Sequence, residues 1–360
     1  MILTIIAAVL VFGIIIAVHE AGHLIAAKSV GVKVHEFAIG MGPKLFSFTK
    51  GGTAYSLRLL PIGGFCSMEG EDENSDNPDA LCNKSVWARL LVMVSGALMN
   101  VILGLLIYII IIGAAGGNTI GVNVVDEVLE NSPAMEAGLQ PGDKVIRVNG
   151  KRVHLPSEMR FELYKSGGQE AEVVINRGGE KITKRITPYL QEEKQLDANG
   201  NEVTVSNYYF GYQMRQEKKT VWNVLSYAYY QSWFTIDVVI YSLGQLIQGK
   251  VGLNEMSGPV GIVNQIGQSA RAGFLDLLSF MALITINLGV FNLLPIPALD
   301  GGRILFLIVE IIRRKPLNPE REGMVHFIGL VLLMILMIVV TSSDIIKLNV
   351  WDKLKGLFGG

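Results

Sequence analysis

The sequence predicts a multi-span α-helical membrane protein, with four transmembrane helices and a small α+β domain inserted between the second and the third. Half of its 360 residues are hydrophobic, only 18% are charged, and the mean hydropathy is +0.40. A soluble enzyme of this length carries more charge and less apolar sequence. The apolar residues are concentrated in a few long runs, whereas the middle of the chain has the short runs of a globular domain.

Four segments are long and apolar enough to cross a bilayer, which takes about 20 residues of helix. They are Ile2 to Ala27, Val86 to Ala115, Leu275 to Leu294, and Phe327 to Val340 with its flanks. The first segment has no Lys or Arg before its apolar run and no clear cleavage site of small residues. We therefore expect it to stay attached, although a cleaved signal peptide is the alternative.

Lysine and arginine residues predict how these helices are oriented. They cluster after the first helix and before the last, and the positive-inside rule places both clusters in the cytosol. The first cluster is Lys28, Lys33, Lys44, Lys50, Arg58, Lys84 and Arg89, and the second is Arg303, Arg313, Arg314, Lys315 and Arg321. The N-terminus, the middle segment and the C-terminus are then expected to face outward.

The segment between the second and third helices predicts a small globular domain. Lys144 to Val148 and Ala171 to Ile175 have the composition of β-strands, and turn signals follow them at Asn149-Gly150 and Arg177-Gly178-Gly179. Ser157 has the position of an N-cap residue for a short helix between these strands.

A further stretch, Val221 to Ile247, is long enough to span but is interrupted by Asn223, Gln231 and Asp237. We expect an amphipathic helix that lies on the outer face of the membrane. A fifth crossing here would also carry Asp300, the candidate metal ligand described below, to the opposite side of the membrane.

The strongest chemical signal is the HExxH motif His19-Glu20-Ala21-Gly22-His23 inside the first apolar helix. Positions i and i+4 share a helix face, so both imidazoles point at one metal ion, and Glu20 is placed to take a proton from a metal-polarised water. Ionisable groups are costly inside a membrane span, so their presence there indicates a function. The alternative is that His19, Glu20 and His23 only form structural hydrogen bonds to a neighbouring helix. If Lys28 marks the cytosolic interface, His19 lies about 13 Å deeper, toward the inner side of the membrane.

A catalytic zinc ion takes three protein ligands and keeps one position open. Asp300 follows the third predicted helix at its cytosolic end, at a depth that matches the HExxH motif, within the run NLLPIPALDGG. Pro295 and Pro297 break the helix and free the carboxylate to turn toward the metal. The alternative is that Asp300 only caps a helix in a polar loop.

Taken together, these motifs resemble the site-2 proteases, which are intramembrane zinc metalloproteases, and specifically their bacterial RseP-like branch with an outward PDZ domain. The resemblance covers nearly the whole chain. It rests on HEAGH, FAIGMGP, RLLPIGGF, SGPVGI and NLLPIPALDG in this order, and on PDZ-like sequence from about Thr119 to Leu190 that includes GLQPGD and KVIRVNG.

The resemblance implies a role for each residue of the candidate site. His19, His23 and Asp300 are expected to bind Zn²⁺, and Glu20 is expected to act as the catalytic base. Asn292 is expected to hold the substrate backbone or the developing oxyanion.

The resemblance also implies a re-entrant β-hairpin between the first two helices. Val34 to Phe65 alternates like strands and has hairpin signals at Gly51-Gly52 and Gly63-Gly64. Gly40 and Gly42 are expected to lie against a substrate that binds as an added strand. The alternative is an ordinary cytosolic loop whose glycines only make turns.

The implied activity is regulated intramembrane proteolysis in the bacterial inner membrane, as in stress signalling. The substrates would be single-span membrane proteins that another protease has trimmed, such as anti-sigma factors, or signal-peptide remnants. The PDZ domain would lie outside and exclude substrates with bulky outer parts, or else be an inert spacer. A non-enzymatic PDZ membrane adaptor is the rival function, and Glu20 argues against it because a structural zinc site needs no base.

Composition excludes other classes of function and leaves the oligomeric state open. A net charge of −1 without a basic stripe argues against a nucleic-acid partner. Cys66 and Cys82 lack the spacing of a disulfide framework or a zinc site. The expected organisation is a first helix over 1–28, the hairpin region over 29–85, a second helix over 86–116, the PDZ domain over 117–212, the amphipathic helix and SGPVGI loop over 213–272, a third helix with NLLPIPALDG over 273–312, and a fourth helix with a tail over 313–360.

Overall fold

The computed structural model of the protein describes residues 2–71, 73–114, 116–196, 202–252, 256–315, 317 and 319–347. The predicted span end at Ala115 and the tail beyond Lys347 lie outside these residues. The helices are α1 Ile2–Ser29, α2 Val86–Ala114, α3 Pro133–Glu136, α4 Pro156–Lys165, α5 Val221–Ile247, α6 Pro259–Ala272, α7 Phe274–Leu293, α8 Asp300–Arg313 and α9 Pro319–Lys347. The strands are β1 Val34–Lys50, β2 Thr53–Met68, β3 Thr119–Val128, β4 Lys144–Val148, β5 Lys151–Arg152, β6 Ala171–Arg177, β7 Glu180–Ile186, β8 Tyr189–Leu196, β9 Glu202–Tyr209 and β10 Tyr212–Lys218.

The chain forms two compact units, residues 1–107 with 235–360 and residues 108–234. Among the described residues, four helices are long and apolar enough to cross a membrane: Ile2–Ser29, Val86–Ala114, Phe274–Leu293 and Glu322–Lys347. The prediction of a multi-span α-helical membrane protein is therefore confirmed. The helix α5 is not one of these four.

In the first unit, α1 packs against both strands of the β1–β2 hairpin and against α6, and α6 packs against α7 and α9. Small residues in this unit allow its helices to approach one another closely. A Cβ atom on Gly22 would lie 2.4 Å from the carbonyl oxygen of Ser95, so the backbones of α1 and α2 lie directly against each other at this point. Close approach through glycine is a common way for helices to pack in membranes, where apolar burial gives little driving force.

The first half of β1 lies in the middle of the hairpin sheet. Each residue from Glu36 to Ile39 pairs with two residues of β2, one within 54–57 and one within 64–67. Because a strand residue has one neighbour on each side, the end of β2 from Gly64 to Met68 is an outer strand of this sheet. The turn at Gly51-Gly52 joins the strands as predicted. Gly63-Gly64 instead lies within β2, where Gly63 has a φ of 78° at a bend.

The second unit is built on a sheet with the strand order β10-β3-β4-β6-β7, with β5 paired to β4. The strands β8 and β9 form a separate two-stranded sheet. Asn149-Gly150 and Gly178-Gly179 have positive φ and make the predicted two-residue turns, because Val148 pairs with Lys151 and Arg177 with Glu180. The core is apolar: Val125, Ala134, Leu139, Val145, Val148, Val153, Met159, Leu163, Ala171, Val173, Ile175, Ile186 and Phe210.

Two details of this unit differ from the sequence-based expectation. The N-cap of α4 is Leu155, with Pro156 as the first helical residue, so the prediction of Ser157 as N-cap is wrong. Proline favours that first position, and the Glu158 carboxylate accepts a hydrogen bond from the Leu155 amide at 3.0 Å in place of a side-chain cap. The sheet also continues past residue 212, because β10 pairs with β3 as far as Lys218, opposite Thr119.

Candidate metal centre

The helix α1 brings His19 and His23 onto one face, one turn apart. Both are buried, with 8% and 6% of their surface exposed, and their Nε2 atoms lie 3.2 Å apart. The spacing follows from helix geometry, because residues four apart stack along the axis. The two imidazole rings meet edge to face, with centroids 4.9 Å apart.

The helix α8 supplies the third group. Asp300 is its first residue, directly after a loop in which Ala298 has a positive φ of 76°. The Oδ2 atom of Asp300 lies 3.2 Å from Nε2 of His19 and 3.4 Å from Nε2 of His23. Two histidines and one aspartate, distant in sequence, thus meet in one buried cluster.

The three side chains could hold a zinc ion. A tetrahedral zinc with bonds of about 2.0–2.1 Å separates its ligand atoms by about 3.3 Å, which is the spacing found here. The Oδ2 atom of Asp300 is buried and accepts no hydrogen bond from the described residues. Three atoms with lone pairs facing one another at this distance call for a cation between them.

The other imidazole nitrogens are held by groups on α2. The Nδ1 atom of His23 lies 2.9 Å from the carbonyl oxygen of Val92. Because a carbonyl only accepts, Nδ1 carries the proton and the Nε2 lone pair of the neutral ring points into the cluster. The side-chain amide of Asn100 lies 3.3 Å from Nδ1 of His19, and its backbone carbonyl accepts from Thr285 at 3.2 Å. Asn100 thereby connects α2 to both α1 and α7.

The sequence argument missed these groups of α2. A Cβ atom on Gly96 would lie 2.3 Å from Nε2 of His23, so only glycine leaves room for the imidazole. The signal that could have indicated them is Ser95-Gly96 and Asn100 inside an apolar span, because small and polar residues there mark helix contacts.

The remaining predicted site residues lie outside this cluster of three. Asn292 is buried near the end of α7, eight residues before Asp300. Gly40 and Gly42 have positive φ, and a Cβ on Gly40 would lie 2.5 Å from the carbonyl oxygen of Leu60, so the fold of the hairpin itself requires the glycine. Gly64 of β2 lies closer to the motif, since a Cβ there would be 3.2 Å from Cγ of Glu20.

Neither cysteine belongs to the cluster. Burial, with further contributions from Glu20 and Glu71, raises the pKa of the Cys66 thiol to about 12, which keeps it protonated and a poor metal ligand. Cys82 is partly buried and is not bonded to Cys66.

Apolar spanning helices that enclose a His, His, Asp cluster with an adjacent glutamate define the class of membrane-embedded metalloproteases. Residues 7–336 match the family model of Peptidase family M50. The chain belongs to this family, which is that of the site-2 proteases, and the predicted membership of the site-2 proteases is confirmed.

Named relatives agree with this assignment. The chain is 39% identical over 343 residues to a putative zinc metalloprotease of Clostridium perfringens, which covers 95% of this chain and 98% of the relative. It is 33% identical to the zinc metalloprotease RasP of Bacillus licheniformis and 32% identical to the regulator of sigma-W protease RasP of Bacillus subtilis, each over 96% of this chain and 99% of the relative. The protein is a zinc metalloprotease of the site-2 type and a multi-pass membrane protein, and zinc is its cofactor.

Proposed function

We propose that His19, His23 and Asp300 bind the zinc ion and that Glu20 is the general base for peptide hydrolysis. The observation that carries the proposal is the triangle of Nε2, Nε2 and Oδ2 atoms with sides of 3.2–3.4 Å. Nδ2 of Asn100 is the atom that faces Nδ1 of His19 in the structure. For His19 to offer its Nε2 lone pair, the amide of Asn100 would be flipped, so that its oxygen accepts the Nδ1 proton.

Glu20 and Asn292 have separate proposed roles in peptide hydrolysis. The zinc ion, when bound, supplies Lewis-acid polarisation of the attacking water and the scissile carbonyl. Glu20 accepts a proton from the water as its oxygen bonds to the carbonyl carbon, and then gives this proton to the leaving amide nitrogen as the C–N bond breaks. Asn292 is the proposed donor to the substrate backbone or to the developing oxyanion.

The substrate is proposed to bind as an extended strand beside α1. Gly64 to Met68 is an outer strand of the hairpin sheet and passes Glu20 at Gly64, so a strand added there would run past the base. The hairpin would be re-entrant, and Gly40 and Gly42 would support substrate binding by letting β1 bend.

The second unit is proposed to be a PDZ domain that filters substrates by size. One side of α4 and the segment just before it contact α5 of the same chain. Phe161 contacts Phe234 with ring centroids 5.6 Å apart, His154 stacks on Tyr230 at 3.8 Å, and Ser157 donates to Gln231 at 3.5 Å. A covered helix favours a steric role over peptide capture.

The proposed substrates are single-span proteins whose outer domains have been removed, such as anti-sigma factors, and signal-peptide remnants. The name of the Bacillus subtilis relative, a regulator of sigma-W protease, supports the first class. We propose the bacterial inner membrane as the location, with the second unit outside and the zinc toward the cytosolic side, because lysines and arginines follow α1 and precede α9.

The test uses Glu20→Gln in the purified full-length protein, with a trimmed single-span substrate. We expect near-stoichiometric zinc by elemental analysis and a fall in cleavage rate of about 10²-fold or more. Glu172→Gln, which changes an exposed side chain of β6, is the control and should cut at the parental rate. Normal cleavage by Glu20→Gln would remove Glu20 from the mechanism.

A further inference from the structure

The first turn of α8 is positioned by its backbone contacts. A Cβ on Gly301 would lie 2.0 Å from the carbonyl oxygen of Leu294, and one on Gly302 would lie 2.7 Å from that of Ile296. These contacts hold the turn against the preceding loop. The N-cap Leu299 provides no side-chain hydrogen bond, so the direction of the Asp300 carboxylate also depends on how α8 is rotated about its axis.

Arg303 lies one turn after Asp300 and is paired with Glu71. Its Nη1 atom donates to Oε1 of Glu71 at 2.6 Å, and the two side chains are 26% and 22% exposed. The second carboxylate oxygen of Glu71 accepts from the backbone amide of Met68, the last residue of β2, at 3.4 Å. The ion pair therefore joins the turn that carries Asp300 to the end of the strand that passes Glu20.

We infer that Arg303 and Glu71 are positioning residues for the metal site, which fix the rotation of α8 so that Oδ2 of Asp300 faces the two histidines. The inference rests on the proposed role of Asp300 as a zinc ligand. The charged hydrogen bond from Arg303 ends on a carboxylate whose other oxygen is held by the Met68 amide. A charged hydrogen bond to an anchored group resists rotation better than apolar packing, because it has a preferred direction. Loss of either partner should let Asp300 turn away from the imidazoles.

A second ion pair on the same helix provides a matched control. Glu310 is paired with Arg89 of α2, and these side chains are 13% and 20% exposed. Glu310 lies ten residues after Asp300, which is about 15 Å along the helix axis. Both ion pairs connect α8 to another part of the chain. Only the pair of Arg303 and Glu71 lies at the turn that carries Asp300.

The experiment measures the zinc dissociation constant of purified full-length variants by competition with a chelator. Glu71→Gln and Arg303→Met should each weaken zinc binding about tenfold or more, as loss of a group that orients a ligand commonly does. Glu310→Gln should change it by less than about twofold. The reversed pair, Glu71→Arg with Arg303→Glu, should recover most of the lost affinity.

Three results would overturn the inference. These are zinc binding within about twofold of the parent in Glu71→Gln, an equal loss in Glu310→Gln, or failure of both Glu71→Gln and Arg303→Met to fold, since the pair would then serve stability alone. Asp300→Asn separates this inference from the proposed function. If Asp300→Asn loses zinc while Glu71→Gln keeps it, only the positioning role fails; if Asp300→Asn keeps zinc, the proposed ligand set fails.

Discussion

Gly96 lies against His23 so closely that a Cβ atom at position 96 would be 2.3 Å from Nε2, the nitrogen that faces Asp300. The same Cβ would lie 2.8 Å from Cε1 of His19. Gly96 thus limits the space for both imidazoles, and a larger residue must displace at least one of them. The three proposed ligand atoms lie within 3.4 Å of one another, and a zinc site with this geometry cannot absorb such a shift.

Gly96→Ala should therefore weaken zinc binding about tenfold or more and lower activity with it. Zinc content after dialysis against a weak chelator is the measurement. Gly113→Ala is the control, because Gly113 is in the same helix α2 and a Cβ there would meet nothing within 4 Å. Parental zinc affinity in Gly96→Ala would show that α2 can move away from the histidines.

Asp300→Ala should lower both zinc occupancy and cleavage, because two imidazoles alone leave the metal short of a third protein ligand. Elemental analysis of the purified protein measures the occupancy. Asp276→Ala, which removes an exposed carboxylate in the first turn of α7, should keep full zinc. Full zinc retention in Asp300→Ala would mean that Asp300 is not a ligand.

The sequence predicted what short-range patterns determine. His19, Glu20 and His23 are one helical turn, and apolar length alone marks the four spans. Asp300 was proposed because zinc chemistry requires a third ligand, and the structure places its carboxylate beside both histidines. The contributions of Gly96, Asn100 and Arg303 were not predicted. Small and polar residues in an apolar span mark a helix contact, but they do not show which helices meet or at what height.

Gly64→Ala should slow cleavage without removing zinc. A Cβ at position 64 would lie 2.8 Å from Cγ2 of Ile16, 2.9 Å from the carbonyl oxygen of Ala38 and 3.2 Å from Cγ of Glu20. The strand would have to move away from the base, and misplacement by about 1 Å can cost about 10²-fold in rate. Gly13→Ala, at an open position of α1, is the control. An unchanged rate with Gly64→Ala would argue against the Gly64 edge as the substrate site.

An ion pair should stabilise the second unit at neutral pH, and this stabilisation should be lost at low pH. Asp143 is fully buried, and Arg177 donates to its two oxygens at 2.7 and 2.8 Å. Burial alone would raise the pKa of Asp143, but hydrogen bonds from Arg177 and from the Gln140 amide outweigh it and lower the pKa. The pair therefore stabilises the unit above the ordinary aspartate pKa of about 4, and this stabilisation is lost as pH falls through the lowered pKa.

Arg177→Met should accordingly lower the unfolding free energy at pH 7, because the buried Asp143 carboxylate loses its charged hydrogen-bond partner. The loss should shrink as the pH falls below the ordinary aspartate value and through the lowered pKa of Asp143, where the parent protein also loses the ion pair. Hydrogen exchange of β4 and β6 in the full-length protein, corrected for intrinsic rates, measures it. Arg185→Met, at an exposed position of β7, should show no such pH dependence. An Arg177→Met loss that stays the same as the pH falls from 7 through the lowered pKa of Asp143 would exclude the ion pair as its cause.

Removal of the second unit tests the size filter, and the structure defines where to cut. Thr119 pairs with Lys218, and Lys219 donates from its backbone to Asn118 at 2.7 Å, so the two ends of the deleted segment are already neighbours. A cut at Leu190, the end of the PDZ-like sequence, would leave β10 without its partner β3. Deleting 119–218 and joining the ends with a short glycine linker therefore removes the whole sheet with little strain.

This deletion should leave cleavage of a trimmed substrate measurable and should newly permit cleavage of the same substrate with its folded outer domain, because the obstacle is gone while the proposed zinc ligands and Glu20 remain. The comparison uses one substrate with and without its outer domain. Glu20→Gln in the deleted protein is the control, and it should cut neither form if the cleavage comes from the proposed site. If the deleted protein is folded and zinc-loaded but no longer cuts the trimmed form, the second unit is a required substrate receptor and the filter proposal is wrong.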